Sequence, residues 1–287
     1  MTEELNQFFR EGKFVNVDGT NIFTIDKGKG EIVLLLHGFF STSYSFRKII
    51  PILSQNFRVI APDLPGIGFS EETGEVYSHR MLAKFLYKFL SKITEGPVHI
   101  VAHDYGGPIS FLLINEHPEK VKTITVLSSF LNLKKLSFYF PLNILSVRFL
   151  GNLFSFFLSS SFLKTIYNTK LVSKDCKIGE ELASDYAHLL LEGNKKNNFL
   201  KMCQCVDRTL YAQRDMESGL QKMIGGRQVI WGKEKPSFSV AQAEYIKEKL
   251  RLGFTNYIEG KHLLMEEHPD ELAKRITVLV DKFSRKA

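Results

Sequence analysis

An aspartate stands at the corner where an apolar, strand-like run gives way to a pair of glycines. The run at 98–102 continues into Ala-His-Asp-Tyr-Gly at 102–106, and a stretch with helical periodicity follows at 107–117. A small–x–nucleophile–x–small sequence at a strand-to-helix turn is the nucleophile-elbow pattern, whose strained backbone presents the central side chain at the end of a sheet. The pattern predicts Asp104 as a nucleophile, where serine is more common. The alternative is a purely structural aspartate, since Asp tolerates left-handed backbone better than most residues.

Two backbone N–H groups are expected to form an anion hole beside this nucleophile. The sequence His-Gly-Phe-Phe at 37–40 directly follows a buried, strand-like run at 32–36. In an elbow enzyme, the loop after this strand supplies one N–H group and the residue after the nucleophile supplies the other. The predicted donors are the backbone N–H groups of Phe39 and Tyr105.

His262 is the candidate general base. It lies in Gly-Lys-His-Leu-Leu at 260–264, between a predicted strand at 254–258 and a predicted helix at 269–283. A loop in that place returns to the sheet edge that carries the elbow, and a histidine there comes last in the chain order nucleophile, acid, histidine. The alternative is an ordinary solvent-exposed loop histidine. Nearby His268 is assigned to the start of the final helix.

The elements that would position these residues alternate between strands and helices. Short apolar runs rich in Val and Ile are typical of parallel strands covered on both faces, and stretches with helical periodicity separate them. The runs are 32–36, 57–61, 98–102 and 124–127, and the helical stretches are 44–53, 79–93 and 107–117. An antiparallel hairpin is predicted at 13–25, with its turn at 18–19. The alternation predicts an α/β fold with a mostly parallel central sheet.

The middle of the chain breaks this alternation. From 131 to 215 the sequence shows no clear strand, only helix-compatible segments rich in aromatic residues, and the strand pattern resumes at 228–231. We therefore predict a core made of residues 1–130 and 216–287. A helical cap, residues 131–215, is inserted into it after the sixth strand.

Composition disfavours several classes of function. The 287 residues include 38 basic and 31 acidic side chains, and the net charge of +7 is spread along the chain rather than gathered in a stripe, which argues against a nucleic-acid groove. The three cysteines lack zinc or redox spacing. The polar N-terminus is unlike a signal peptide, and the apolar stretch at 149–163 is shorter than a bilayer span. We expect a cytoplasmic protein with no nucleic-acid partner and no stable membrane insertion.

Together these motifs resemble those of the α/β-hydrolase-fold superfamily over nearly the whole chain. The aspartate elbow is similar to that of its haloalkane dehalogenase and epoxide hydrolase branch. The resemblance implies hydrolysis of a carbon–halogen or epoxide bond: Asp104 would form an alkyl ester, and water activated by His262 would hydrolyse it. The N–H groups of Phe39 and Tyr105 would stabilise the oxyanion of this second step. No cofactor and no metal ion are expected.

The third member of the triad departs from the family pattern. In relatives it is commonly the Asp of a Trp-Gly-x-x-Asp segment, but 231–236 reads Trp-Gly-Lys-Glu-Lys-Pro, with Lys235 in the expected place. Some haloalkane dehalogenases carry the acid after the preceding strand, where 127–132 offers no carboxylate. Glu234 is the nearest substitute and the predicted acid; the alternative for its segment is an exposed turn. If no acid serves, the chain would be a catalytically degenerate protein that binds a ligand or partner.

The leaving-group side departs from the pattern as well. Positions 39 and 105 hold no halide-binding tryptophan, Trp231 lies in a predicted strand, and Phe40 replaces the proline of the expected His-Gly-x-Pro. Epoxide hydrolases protonate the epoxide oxygen with two cap tyrosines. The candidates for this role are Tyr139, Tyr167, Tyr186 and Tyr211. The aromatic cap favours a small, apolar substrate, and we expect a monomer or weak dimer.

Overall fold

The computed structural model describes residues 1–138, 140–234 and 237–284. The strands within these ranges are β1 (Gly12–Val17), β2 (Thr20–Lys27), β3 (Ile32–Leu36), β4 (Arg58–Pro62), β5 (Val98–His103), β6 (Val121–Leu127), β7 (Gly226–Gly232) and β8 (Asn256–Ile258). They form one sheet in the order β1-β2-β4-β3-β5-β6-β7-β8.

The helices of the same described ranges surround this sheet. They are α1 (Glu3–Glu11), α2 (Ile50–Leu53), α3 (His79–Ile93), α4 (Gly106–Glu116), α5 (Leu142–Leu145), α6 (Arg148–Phe154), α7 (Ser160–Ile166), α8 (Glu180–Leu191), α9 (Lys195–Gln204), α10 (Leu210–Lys222), α11 (Val240–Lys249), α12 (Leu264–Glu267) and α13 (Pro269–Ser284).

The sheet is parallel from β4 to β8 and antiparallel only where β1 and β2 join it. Every residue of β3 and β5 is buried, as expected for Val- and Ile-rich strands with both faces covered. The β1–β2 turn lies at Asp18 and Gly19, whose φ angles of 50° and 92° suit a tight hairpin. The predicted α/β architecture with a mostly parallel sheet is confirmed.

Two helical features differ from the sequence prediction. The predicted helix at 44–53 is divided into a 3₁₀ turn at Ser43–Phe46 and the short α2, because Pro51 cannot donate the hydrogen bond that a continuous helix would need. The N-terminal helix α1 was not predicted. Thr2 caps it by accepting from the Leu5 N–H group, and the Thr2 backbone N–H donates to Asp185 in α8 at 2.9 Å.

The chain between β6 and β7 is helical, and its described residues, all but 139, contain no strand. This confirms a helical cap inserted after the sixth strand. The predicted boundary at 215/216 falls inside α10, which packs directly on α4. A Cβ on Gly219 would lie 2.0 Å from the carbonyl oxygen of Phe111, so glycine permits this close approach. Helix α10 thus links the cap to the helical layer of the core.

A buried ion network anchors the loop after β8. The carboxylate of Glu266 accepts hydrogen bonds from the guanidinium of Arg47 and from the hydroxyl of Tyr186, the latter at 2.8 Å. The ammonium of Lys48 lies 3.1 Å from the same carboxylate. Removing one partner of a buried ion pair leaves an uncompensated charge. The network therefore fixes this loop relative to both the segment before α2 and the cap helix α8.

Gly232→Ala is expected to destabilise the protein through this same loop. Gly232 ends β7, and a Cβ on it would lie 1.8 Å from the carbonyl oxygen of Lys261. Because that oxygen belongs to the backbone, relief requires the chain to shift, at a cost of about 1–3 kcal/mol. Urea denaturation measures the loss. Gly253→Ala is the matched control, since a Cβ there meets no atom within 4 Å; equal stability of the two variants would contradict the argument.

Candidate active site

Asp104 lies on the turn between β5 and α4. Its φ of 52° is in the left-handed region, which costs a non-glycine residue about 1–3 kcal/mol. Small neighbours allow the turn: a Cβ on Gly106 would lie 2.6 Å from the Leu36 carbonyl oxygen, and one on Gly38 would lie 2.4 Å from the Asp104 Cβ. The hydroxyl of Ser129 donates to the Asp104 carbonyl oxygen at 2.6 Å. The strained turn is therefore held from several sides.

Two backbone donors and one imidazole surround the fully buried carboxylate of Asp104. The backbone N–H groups of Phe39, at 3.0 Å, and of Tyr105 both donate to Oδ1. The Nε2 atom of His262 lies 2.9 Å from Oδ2. The structure thus brings together these four residues from three separate segments of the chain. One oxygen rests between two backbone donors, and the other meets an imidazole.

The ring of His262 is buried and held by its surroundings. Its backbone N–H group donates to the Leu171 carbonyl oxygen at 3.0 Å, which ties it to the cap. Its carbonyl oxygen lies 3.2 Å from Nε2 of His103, and the two imidazole rings pack with centroids 4.6 Å apart. Phe238 contacts the same ring edge-on at 5.6 Å. This packing fixes the direction of Nε2 toward Asp104.

His103 is a supporting residue that the sequence reasoning missed, although it adjoins Asp104 in the elbow motif. Burial first, and then the neighbouring His262, lower its pKa well below the ordinary value, so the ring is neutral at neutral pH. Because a carbonyl oxygen only accepts, His103 donates through Nε2–H to the His262 carbonyl. His37 plays a similar part for the other loop. Its Nε2 accepts from the Leu64 N–H at 2.8 Å and its Nδ1 donates to the Gly38 carbonyl oxygen at 3.1 Å.

The structure does not bring Glu234 to the histidine. Glu234 is exposed, and its backbone N–H group donates to the Gly260 carbonyl oxygen at 2.9 Å. The Nδ1 atom of His262 is buried and has no hydrogen-bond partner among the described residues. Lys235 lies outside the residues that the structure describes. This corrects the expected constellation: within the described chain, the position of the triad acid is not filled by Glu234.

Aromatic rings cover the carboxylate and the histidine. Phe39 stacks on Tyr105 at 4.4 Å and meets Phe138 edge-on at 6.2 Å. Phe130 and Phe238 pack at 5.0 Å beside them, and all five rings are buried. The space next to the carboxylate is therefore strongly apolar.

Two of the three described cap tyrosines already donate hydrogen bonds within the protein. The hydroxyl of Tyr167 donates to the Phe40 carbonyl oxygen, and that of Tyr186 donates to Glu266. Their rings stack on one another with centroids 4.6 Å apart. Tyr211 is exposed on the surface, and Tyr139 lies outside the described residues. Trp231 is buried in β7 and donates to the Phe238 carbonyl oxygen at 3.1 Å.

The buried histidines predict a loss of stability in mild acid. Burial lowers the pKa of His37, His103 and His79, the last to about 4. The unfolded chain then binds more protons than the folded one, so stability is complete above about pH 6.5 and falls below it, by up to about 1.4 kcal/mol per pH unit for each histidine. Urea denaturation at several pH values between about 6.5 and 5 measures this slope.

His79→Gln removes the contribution of His79 to the pH dependence of stability, since an amide does not titrate. We expect a shallower dependence of stability on pH in this variant than in the wild type. An unchanged dependence of stability on pH would mean that folding does not lower the pKa of His79.

Known proteins resemble this chain in sequence. A family model described as "alpha/beta hydrolase fold" matches residues 31–269. A soluble epoxide hydrolase from Corynebacterium sp. (strain C12) is 30% identical over 126 residues, which cover 44% of each chain. The matched region spans less than half the length of each of the curated relatives compared.

Solved structures share the fold over nearly the whole chain. The haloalkane dehalogenase DbeA from Bradyrhizobium elkani has a TM-score of 0.82 at 17% identity, covering 96% of this chain and 99% of that one. A serine hydrolase involved in carbazole degradation (CarC enzyme) has a TM-score of 0.76 at 20% identity, covering 94% and 98%. These likenesses concern the fold alone. The family model, by contrast, matches most of the sequence itself, and the chain belongs to the alpha/beta hydrolase fold family.

Proposed function

We propose that this protein hydrolyses a carbon–halogen or epoxide bond of a small, apolar substrate through an ester formed on Asp104. The observation that supports this is the carboxylate at the elbow, with Oδ1 between two backbone N–H groups and Oδ2 against His262. A carboxylate that attacked a carbonyl carbon would form a reactive anhydride. Against a saturated carbon it displaces the leaving group and forms a stable alkyl ester.

In the first step, Oδ2 of Asp104 attacks the substrate carbon. The new carbon–oxygen bond forms as the bond to the halide or to the epoxide oxygen breaks, and the leaving group takes the electron pair. Oδ1 stays between the N–H groups of Phe39 and Tyr105 and becomes the carbonyl oxygen of the ester. The buried aromatic rings above the carboxylate favour an apolar substrate, and some of them must move aside to admit it.

In the second step, His262 acts as the tautomer that carries its proton on Nδ1. Its Nε2 removes a proton from water, and the resulting hydroxide attacks Cγ of the Asp104 ester. Negative charge develops on Oδ1, where the N–H groups of Phe39 and Tyr105 already point. The bond between Cγ and the former Oδ2 then breaks as the departing alkoxide takes the proton from the His262 imidazolium, so the alcohol leaves with an oxygen atom that belonged to the enzyme. The proton left on the new carboxyl group passes to solvent or, after epoxide opening, to the alkoxide that the opening produced.

The Nδ1 atom of His262, which has no partner among the described residues, affects only this second step. The described part of the chain supplies the imidazolium with no carboxylate of the kind that orients and stabilises it in the triad template, where neutralising the acid lowers turnover by roughly 10⁴. We therefore expect ester formation to outpace ester hydrolysis. The same feature supports the second candidate function, a degenerate member of the family that binds a ligand or partner without turnover.

Trapping the ester tests the proposal. His262→Phe is incubated with a panel of haloalkanes and epoxides, and the intact protein is then weighed by mass spectrometry. Because alkylation needs the carboxylate and hydrolysis needs the imidazole, we expect an adduct on Asp104 that persists in this variant. Asp104→Asn is the matched control and should form none.

Isotope labelling distinguishes this route from direct attack of water on the substrate. After several turnovers of the wild type in H₂¹⁸O, the label should appear in the Asp104 carboxylate, and the alcohol from a single turnover should be unlabelled. A labelled alcohol in the first turnover would contradict an ester intermediate. No adduct and no product with any member of the panel would favour the binding protein.

Glu234→Gln is expected to leave the rate of ester hydrolysis unchanged, since the side chain is exposed and does not contact His262. Stopped-flow measurement of a single turnover gives this rate separately from ester formation. Lys233→Gln, a charge change at the neighbouring exposed residue, serves as the control. A large loss confined to Glu234→Gln would identify Glu234 as the triad acid after all.

A further inference from the structure

The tip of the cap carries large apolar side chains that face solvent. Phe149, Phe156 and Phe157 are 79%, 81% and 66% exposed. The complete set, here called the cap-tip patch, is Val147, Phe149, Leu150, Leu153, Phe156 and Phe157. Soluble monomers rarely expose so many neighbouring apolar side chains without a partner. We propose that the cap-tip patch docks on the surface of an anionic lipid bilayer.

The patch is a continuous and well-supported surface. Helix α6 begins at Arg148 and passes into a 3₁₀ turn at Ser155–Phe157. Behind it, Phe154 packs against Phe140 and Phe162, each at 5.6 Å, and against Phe157 at 5.8 Å. The exposed rings therefore stand on a layer of packed rings, which holds them outward together.

Packing of α6 against α5 also keeps the patch turned away from the core. A Cβ on Gly151 would lie 2.4 Å from the Leu145 carbonyl oxygen, so the glycine side of the helix is in contact with the cap. The apolar side chains project from the remaining surface.

Charge identifies the kind of partner. From 123 to 163 the sequence contains no Asp or Glu but includes Lys134, Lys135 and Arg148, the last at the start of α6. The guanidinium of Arg208 donates to the Ser146 hydroxyl, next to the patch, at 3.2 Å. The ammonium of Lys196 in α9 lies 5.8 Å from the Phe156 ring centroid. Apolar rings bordered by cations are the arrangement that binds an interface rich in anionic lipid. A symmetric contact with a second copy would instead bring two basic surfaces together.

The geometry suits shallow docking. No single helix of the described residues is long and apolar enough to cross a membrane. Arg148–Phe157 and Ser160–Leu171 together have the length and composition of a span, but the two are bent by 110°. The second member is not free to insert, since Leu163, Ile166, Tyr167 and Leu171 are buried. Only the first member presents apolar side chains to solvent, so the contact is interfacial.

Flotation of the full-length protein with lipid vesicles tests the proposal. Phosphatidylcholine vesicles containing about 30% phosphatidylglycerol are compared with pure phosphatidylcholine vesicles at low and high salt. We expect binding to the anionic vesicles that weakens with salt. The double variant Phe149→Ser/Phe156→Ser should lower the partition coefficient at least about tenfold, because each ring loses its burial in the interface.

The matched control removes equally exposed apolar side chains elsewhere. Ile224 and Phe254 are 94% and 69% exposed and lie outside the cap, so Ile224→Ser/Phe254→Ser should bind as the wild type does. In Phe156→Trp, the indole emission should shift to shorter wavelength on anionic vesicles, while the buried Trp231 supplies a constant background.

Three results would overturn the proposal. The first is absence of flotation with anionic vesicles at low salt, and the second is an equal loss of binding in the patch and control variants. The third is a dimer in analytical ultracentrifugation that depends on Phe149 and Phe156 and forms without vesicle binding. That last result would assign the patch to a second copy of this chain.

Discussion

The left-handed backbone at Asp104 is the constraint on which the rest of the site depends. A φ of 52° on a non-glycine residue is unfavourable by itself, and it persists because surrounding groups over-determine it. The strained turn points the carboxylate away from the sheet, toward two backbone N–H groups and an imidazole. Gly106 and Gly38 have no side chains because the neighbouring backbone leaves no room for a Cβ. The glycines next to the elbow are therefore a consequence of its geometry.

The same constraint explains why a buried carboxylate is tolerated. Burying an ion without partners is costly, and hydrogen bonds to the charged form offset that cost. Here both oxygens of Asp104 are satisfied, but by groups that a reaction can use: donors on Oδ1 that suit an oxyanion, and a base on Oδ2. The unsatisfied polar atom is the buried Nδ1 of His262, on the far side of the imidazole, which has no partner in the described residues. Under the proposed mechanism, such a site favours formation of an ester over its release.

The cap joins the site to the surface of the molecule. Leu171 in the cap accepts the backbone N–H of His262, and Tyr186 reaches Glu266 on the same loop. Direct hydrogen bonds thus join the cap to the segment that holds the histidine. The outer end of the cap carries the exposed rings of the patch, while its inner end contributes Phe138 to the apolar cover over the carboxylate. One aromatic-rich segment therefore serves two different surfaces.

The sequence by itself determined the elements whose signal is local. Strands β3 and β5, helix α3, the hairpin turn and the elbow were predicted within a residue or two, because apolar periodicity and turn-forming residues are properties of short segments. The order of the motifs along the chain also predicted which residues would meet, and Asp104, His262, Phe39 and Tyr105 do meet. For these four residues to meet, it is enough that parallel strands end at one edge of a sheet.

Only the tertiary structure decided the directions of side chains and the degree of their burial. Glu234 was a reasonable acid from its spacing, but in the fold it is exposed and the Nδ1 atom of His262 has no partner among the described residues. Tyr167 and Tyr186 were equivalent to Tyr211 in sequence, yet the first two are buried donors and the third is exposed. The aromatic residues of the cap likewise divided into a buried cover and an exposed tip. Such outcomes depend on contacts between segments far apart in the chain, which no local pattern encodes.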